Sequence, residues 1–177
     1  LVNILLYQTG WFACVLGAAH DHPWLGALGG GVLTAIHVAL VCEPRRELAL
    51  LLCFGVVGAA LDSMHSCSGV LTFASGYVVG CLAPPWIIVL WIQFATVFRY
   101  SLRWLLGRYW LAALLGGLGG PLAFFVGERL GAVTFLPRAW VSLVVIGIVW
   151  ASALPLLVWR AGPPLTGALA GKYRWLG

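Results

Sequence analysis

The chain has 177 residues, 62% of them hydrophobic and 8% charged, with a mean hydropathy of +1.01 and a formal net charge of +5. A soluble domain carries about 25% charged residues, so this composition excludes a water-soluble fold and indicates an integral membrane protein. The basic residues are scattered at the ends of apolar runs, which excludes a nucleic-acid patch and suits orientation and anionic-lipid contact.

A membrane span needs roughly 20 residues, so the length predicts an all-α bundle of six transmembrane helices forming one polytopic domain over 1–177. The first span is expected at 1–19; its opening lacks a basic region and a cleavage site, so it reads as a span rather than a removed signal. Asn3, Gln8 and Thr9 are its polar residues, and amides in lipid usually bond to a neighbouring helix. A short turn, His20-Asp21-His22-Pro23, leads into a second span at 24–42, which buries His37 about 20 Å from Trp24. The charged stretch 43–47 reads as a turn, followed by a third span at 48–67.

That third span carries Asp62, Ser63 and His65. Asp62 and His65 are three apart and share a helix face. The segment 68–84 is apolar but broken by Gly69, Gly76, Gly80 and Pro84, and reads as a short interfacial or re-entrant piece. A fourth span is expected at 85–106, with Gln93 inside and Arg99, Arg103 and Arg108 at its basic, aromatic end. A fifth at 109–127 has glycines and Pro121 at its centre, which predict a kink or a very close helix contact. A sixth is expected at 139–159, and 160–177 reads as an interfacial tail. The five cysteines show no CxxC spacing, and whether Cys67 and Cys81 pair is left open.

Numbering the loops alternately puts Arg45, Arg46, Arg99, Arg103, Arg108, Arg160, Lys172 and Arg174 on one side and Arg129 and Arg138 on the other, eight against two. Both termini are therefore expected in the cytoplasm. Asp62 then lies about 22 Å up a hydrocarbon core of about 30 Å, level with Gln93. A carboxylate facing lipid there would be costly, so Asp62, Ser63, His65 and Gln93 are expected to form a polar pocket.

Asp62 and His65 are the candidates for acid–base chemistry, though Asp-x-x-His alone does not specify a reaction. His20, His22, His65 and Glu128 are candidate metal ligands. The resident cofactor stays unknown; His37 and His65 lie too far apart in depth to sandwich one haem. Arg45, Arg46, Arg99, Arg103 and Arg108 are candidates for lipid headgroup or partner contact. Three functions fit: an accessory or scaffold subunit bound to lipids and a protein partner, a small lipid-modifying enzyme, or a proton-coupled carrier. No repeat between the halves is apparent to favour the carrier.

Certain stretches also resemble a known family. Asn3, Gln8, Gly10, Trp11 and Phe12; Leu61-Asp62-Ser63; Trp91, Phe94, Ala95 and Thr96; and Gly119-Gly120-Pro121 are similar to the pattern of the bacterial inner-membrane family of unknown function numbered 2878. Arg99-Tyr100 departs from it, standing where Asn-His is expected. The resemblance implies a small polytopic protein of the bacterial inner membrane in a lipid-linked setting, supplies no reaction, and adds Asn3 and Gln8 of the first span to the polar pocket expected around Asp62.

Overall fold

The computed structural model describes residues 2–41, 43–136 and 138–162. Cys42 and the expected tail beyond 162 lie outside the described residues. Six α-helices carry the described chain: α1 Val2–Ala19, α2 Pro23–Leu40, α3 Pro44–Cys67, α4 Pro85–Ala95, α5 Tyr109–Arg129 and α6 Ala139–Ala161. All but α4 are long and apolar enough to cross a membrane. Their outward faces are apolar too, with Leu28 and Val56 exposed by 67% and 70%, which suits hydrocarbon rather than water. The chain is thus a multi-pass membrane protein.

Three helices, α2, α3 and α4, begin on a proline, whose missing N–H costs nothing in the first turn. Pro44 corrects one expectation. The charged stretch 43–47 is not a solvated turn but the start of α3, and Glu47 is buried.

The span expected at 85–106 is also corrected, because it is α-helical only to Ala95. Beyond it the chain winds in tighter turns (Thr96 N–H to Gln93 O, Tyr100 N–H to Val97 O) and a 3₁₀ turn at Arg103–Leu105. Thr96 supplies the physical reason. Its hydroxyl donates to Gln93 O at 2.7 Å and its carbonyl accepts from Asn3 Nδ2 at 3.2 Å, drawing both carbonyls out of the α-helical ladder. The short α4 packs against α1, α2 and α3, so it forms the centre of the bundle.

The segment 68–84 is folded back over the end where α1, α3 and α5 finish. It contains strand β1, Leu71–Phe73, which pairs antiparallel with β2, Val133–Phe135, with Thr72 opposite Thr134. Ser75 Oγ donates to Ala18 O at 2.7 Å, Trp86 Nε1 donates to Ser75 O at 3.1 Å, and Ala83 N–H donates to Ser63 Oγ at 2.9 Å. Cys67 and Cys81 are joined by a disulfide.

This end reveals a five-residue motif that occurs twice. Gly69-Val70-Leu71-Thr72-Phe73 and Gly131-Ala132-Val133-Thr134-Phe135 share the pattern Gly-x-x-Thr-Phe. Both glycines take positive φ, +74° and +87°. Val70 N–H reaches His65 O and Ala132 N–H reaches Gly127 O, each at 2.9 Å, so α3 and α5 end in the same glycine-capped motif. Asp62 and Phe124 each stand seven residues before their glycine, so the paired strands bring matching positions of α3 and α5 to one seam.

Close helix approach is bought with glycine. Gly116 and Gly120 of α5 lie against Trp150 of α6, which fulfils the close contact expected near Pro121, and α5 runs through Pro121 unbroken. Gly58 of α3 lies under the Trp91 ring, leaving no room for a Cβ. Gly58→Ala should therefore destabilise the fold by about 1–3 kcal/mol, whereas Gly31→Ala, at a position with open space around it, should not. Thermal unfolding of both variants in the same detergent checks this; equal stability would mean that the α3–α4 contact is not limiting.

Candidate functional site

Asp62 is 1% exposed, yet both of its oxygens are occupied. Trp91 Nε1 donates to Oδ2 at 2.7 Å, and His65 Nδ1 lies 3.3 Å from Oδ1. An ionised carboxylate only accepts, so Nδ1 carries a proton, and in the neutral imidazole Nε2 keeps its lone pair. That nitrogen is buried and has no partner among the described residues. An imidazole oriented by a carboxylate with its other nitrogen open is arranged to accept a proton. Phe124 packs edge-on to the His65 ring, with centroids 6.2 Å apart.

Asp62 forms part of the wall of an open pocket with a cavity volume of about 80 Å³. Helix α1 contributes Tyr7, Trp11 and Val15, spaced four apart on one face. Helix α4 contributes Trp86, Trp91 and Phe94, α5 contributes Ala123, Phe124 and Gly127, and α6 contributes Trp150. Ala132 and Val133 line it from the strand-pair end. Trp91 stacks on Trp150 with centroids 4.6 Å apart. Asp62 is the single charged residue in this aromatic lining. The family-like positions Trp11, Asp62, Trp91 and Phe94, from three helices, meet here.

A second polar network occupies the opposite end of the bundle. His37 Nε2 is 2.9 Å from Glu47 Oε1, and Asn3 Nδ2 lies 3.4 Å from His37 Nδ1. The amide donates, so Nδ1 accepts and the His37 proton sits on Nε2, facing the carboxylate. Ser101 Oγ donates to Asn3 Oδ1 at 2.7 Å, and Arg99 Nη1 stands 3.7 Å from Glu47 Oε2. Asn3, His37 and Glu47 are all buried, and together they tie α1, α2, α3 and the turn after α4.

The single polar pocket expected from the sequence is therefore divided. Asp62 and His65 stay together, with Ser63 beside them holding the Ala83 loop. Asn3 belongs to the His37–Glu47 network. Gln93 turns away from Asp62, because residues two apart on a helix do not share a face; its Nε2 donates to Gly30 O at 3.0 Å, and it packs against Gly10. Gln8 is exposed on the surface of α1.

The expected metal ligands do not converge. His20 and His22 are exposed, His20 Nδ1 lies 2.9 Å from Leu16 O, and Glu128 pairs with Arg129 at 3.8 Å. Among the described residues no three His, Cys, Asp or Glu side chains are grouped to hold a metal. Arg45, Arg46, Arg103 and Arg108 are exposed, whereas Arg99 is drawn inward by Glu47.

Glu47 was hidden in the sequence by its charged neighbours, although Pro44 three residues earlier marks it as first-turn. The pocket aromatics were hidden by their number, since Trp is common here and usually signals an interfacial belt. The spacing of Tyr7, Trp11 and Val15 was the available signal.

Removing Glu47 leaves the His37 N–H and Arg99 without their acceptor. Glu47→Ala should cost about 3–5 kcal/mol, while Glu43→Ala, which breaks only the exposed pair with Arg46, should cost at most about 1 kcal/mol. Chemical or thermal unfolding in detergent separates them, and similar losses would show that the buried network is not structural.

No curated protein and no solved structure matches the chain. A family described as protein of unknown function (DUF2878) matches residues 1–156, and the chain belongs to that family.

Proposed function

We propose that the chain is a bacterial inner-membrane protein that binds a lipid-class ligand in the aromatic pocket beside Asp62, forming one polytopic domain. The observation that carries this is the lining. A cavity of about 80 Å³ walled by tryptophan and phenylalanine, with one buried carboxylate, pairs an apolar lining with a placed polar group as ligand sites do. A helix-packing core would be filled to crystal-like density instead.

In this proposal both termini face the cytoplasm, and α4 with its following turns makes the sixth crossing. The distribution of ten basic residues supports that orientation. The Cys67–Cys81 disulfide supports it independently, because it lies at the end assigned to the oxidising periplasm. The segment 68–84 is then a periplasmic cap rather than a re-entrant piece. The exposed arginines Arg45, Arg46, Arg103 and Arg108 would meet anionic headgroups on the cytoplasmic side.

Within this reading, Asp62 is the group that faces the ligand, and His65, outside the pocket lining, orients its carboxylate. An accessory subunit would need a protein partner more than a pocket.

Purification in a mild detergent, followed by mass spectrometry of retained lipid, tests this directly. The wild type should carry a distinct lipid above the bulk membrane composition. Gly127→Leu should lose it, since Gly127 lines the pocket and a Cβ there meets only Val133 at an ordinary 3.6 Å. A stoichiometric protein partner with no retained lipid would favour the accessory reading instead.

A further inference from the structure

The pocket lies along a seam between helices that do not form a packed pair. Helix α1 packs on α2 and α4, and α5 packs on α6, yet α1 and α5 face one another across the cavity. Ala132 and Val133 close it at the strand-pair end, and Phe73 of the partner strand is itself buried. The half-buried Trp11 and Ala123 stand on α1 and α5 at this seam.

The lining also selects by charge. No lysine or arginine contributes to it, and its one charged residue is Asp62. A phosphate, sulfate or carboxylate head would be placed against a like charge with no cation to offset it. Two groups can serve a neutral head. Each Asp62 oxygen accepts one N–H and has a second lone pair to offer, and the Tyr7 hydroxyl has no hydrogen-bond partner among the described residues. A hydroxyl head can donate to the Asp62 carboxylate, and Tyr7 in the same lining is a second polar side chain. At the roughly 10–15 Å³ that one water needs in such a space, the cavity of about 80 Å³ holds on the order of six water-sized groups, which is one chain end rather than two.

The geometry points to an uncharged, single-chain hydrophobe ending in a hydroxyl, taken directly from the bilayer between α1 and α5. This rests on the pocket being a lipid site, and it adds the class of lipid and the route.

Photolabelling in phospholipid vesicles tests it, using a diazirine-bearing hexadecanol and the matching hexadecyl sulfate, with labelled peptides mapped by mass spectrometry. In the wild type the alcohol should label the α1 and α5 pocket segments at least about tenfold more than the sulfate, a difference of one tenfold step in affinity. Asp62→Asn should raise labelling by the sulfate. Ala123→Trp should slow labelling by the alcohol, and Trp11→Ala should speed it, opposite changes that a folding defect would not produce. Equal labelling by both compounds in the wild type would overturn the neutral-head assignment. Unchanged rates in both route variants would overturn lateral access. Either result, with the pocket still labelled, leaves the lipid site standing, whereas no labelling of the pocket by either compound overturns both.

Discussion

The structure depends on keeping one carboxylate among aromatic rings. Asp62 is as buried as any core leucine, and a bare charge there would be severely penalised. It is tolerated because Trp91 and His65 each bring an N–H to it. Those two contacts constrain much else. Trp91 can reach Asp62 only because Gly58 lets the ring lie against the α3 backbone. Helix α4 must therefore sit close to α3, at the centre of the bundle. His65 is held by the glycine-capped end of α3, where its own carbonyl receives the Val70 N–H.

The two polar networks divide the labour along the bundle axis. At one end, Glu47, His37 and Asn3 satisfy one another almost completely and clamp three helices to the turn after α4. Such a closed network holds helices together and leaves little unspent. At the other end, the Asp62–His65 pair is left incomplete, with an open imidazole nitrogen and an unfilled space beside the carboxylate. The pocket beside Asp62 is where a ligand would find both room and a carboxylate to meet.

The sequence made the helical class and the Asp62–His65 pairing legible, because each follows from a local rule of length, periodicity or spacing. What it concealed was direction. Gln93 and Trp91 sit two positions apart on α4, and only packing decided that the indole, not the amide, meets Asp62. Thr96 ended the helix early through a bond from Asn3, more than ninety positions away, which no local propensity encodes. The Gly-x-x-Thr-Phe repeat was present in the letters but too short to stand out until its copies were seen paired as β1 and β2. Glu47 was concealed because a charge run is ordinarily solvated, and here a proline placed it inside a helix.

The central claim is that the space beside Asp62 is a ligand site and not a packing fault. An electron cryo-microscopy map of the protein extracted with its native membrane would address it most directly. The account predicts an elongated density between α1 and α5 that ends against Asp62 and Tyr7. A collapsed seam, with Trp11 packed on Phe124 and no density between them, would contradict it.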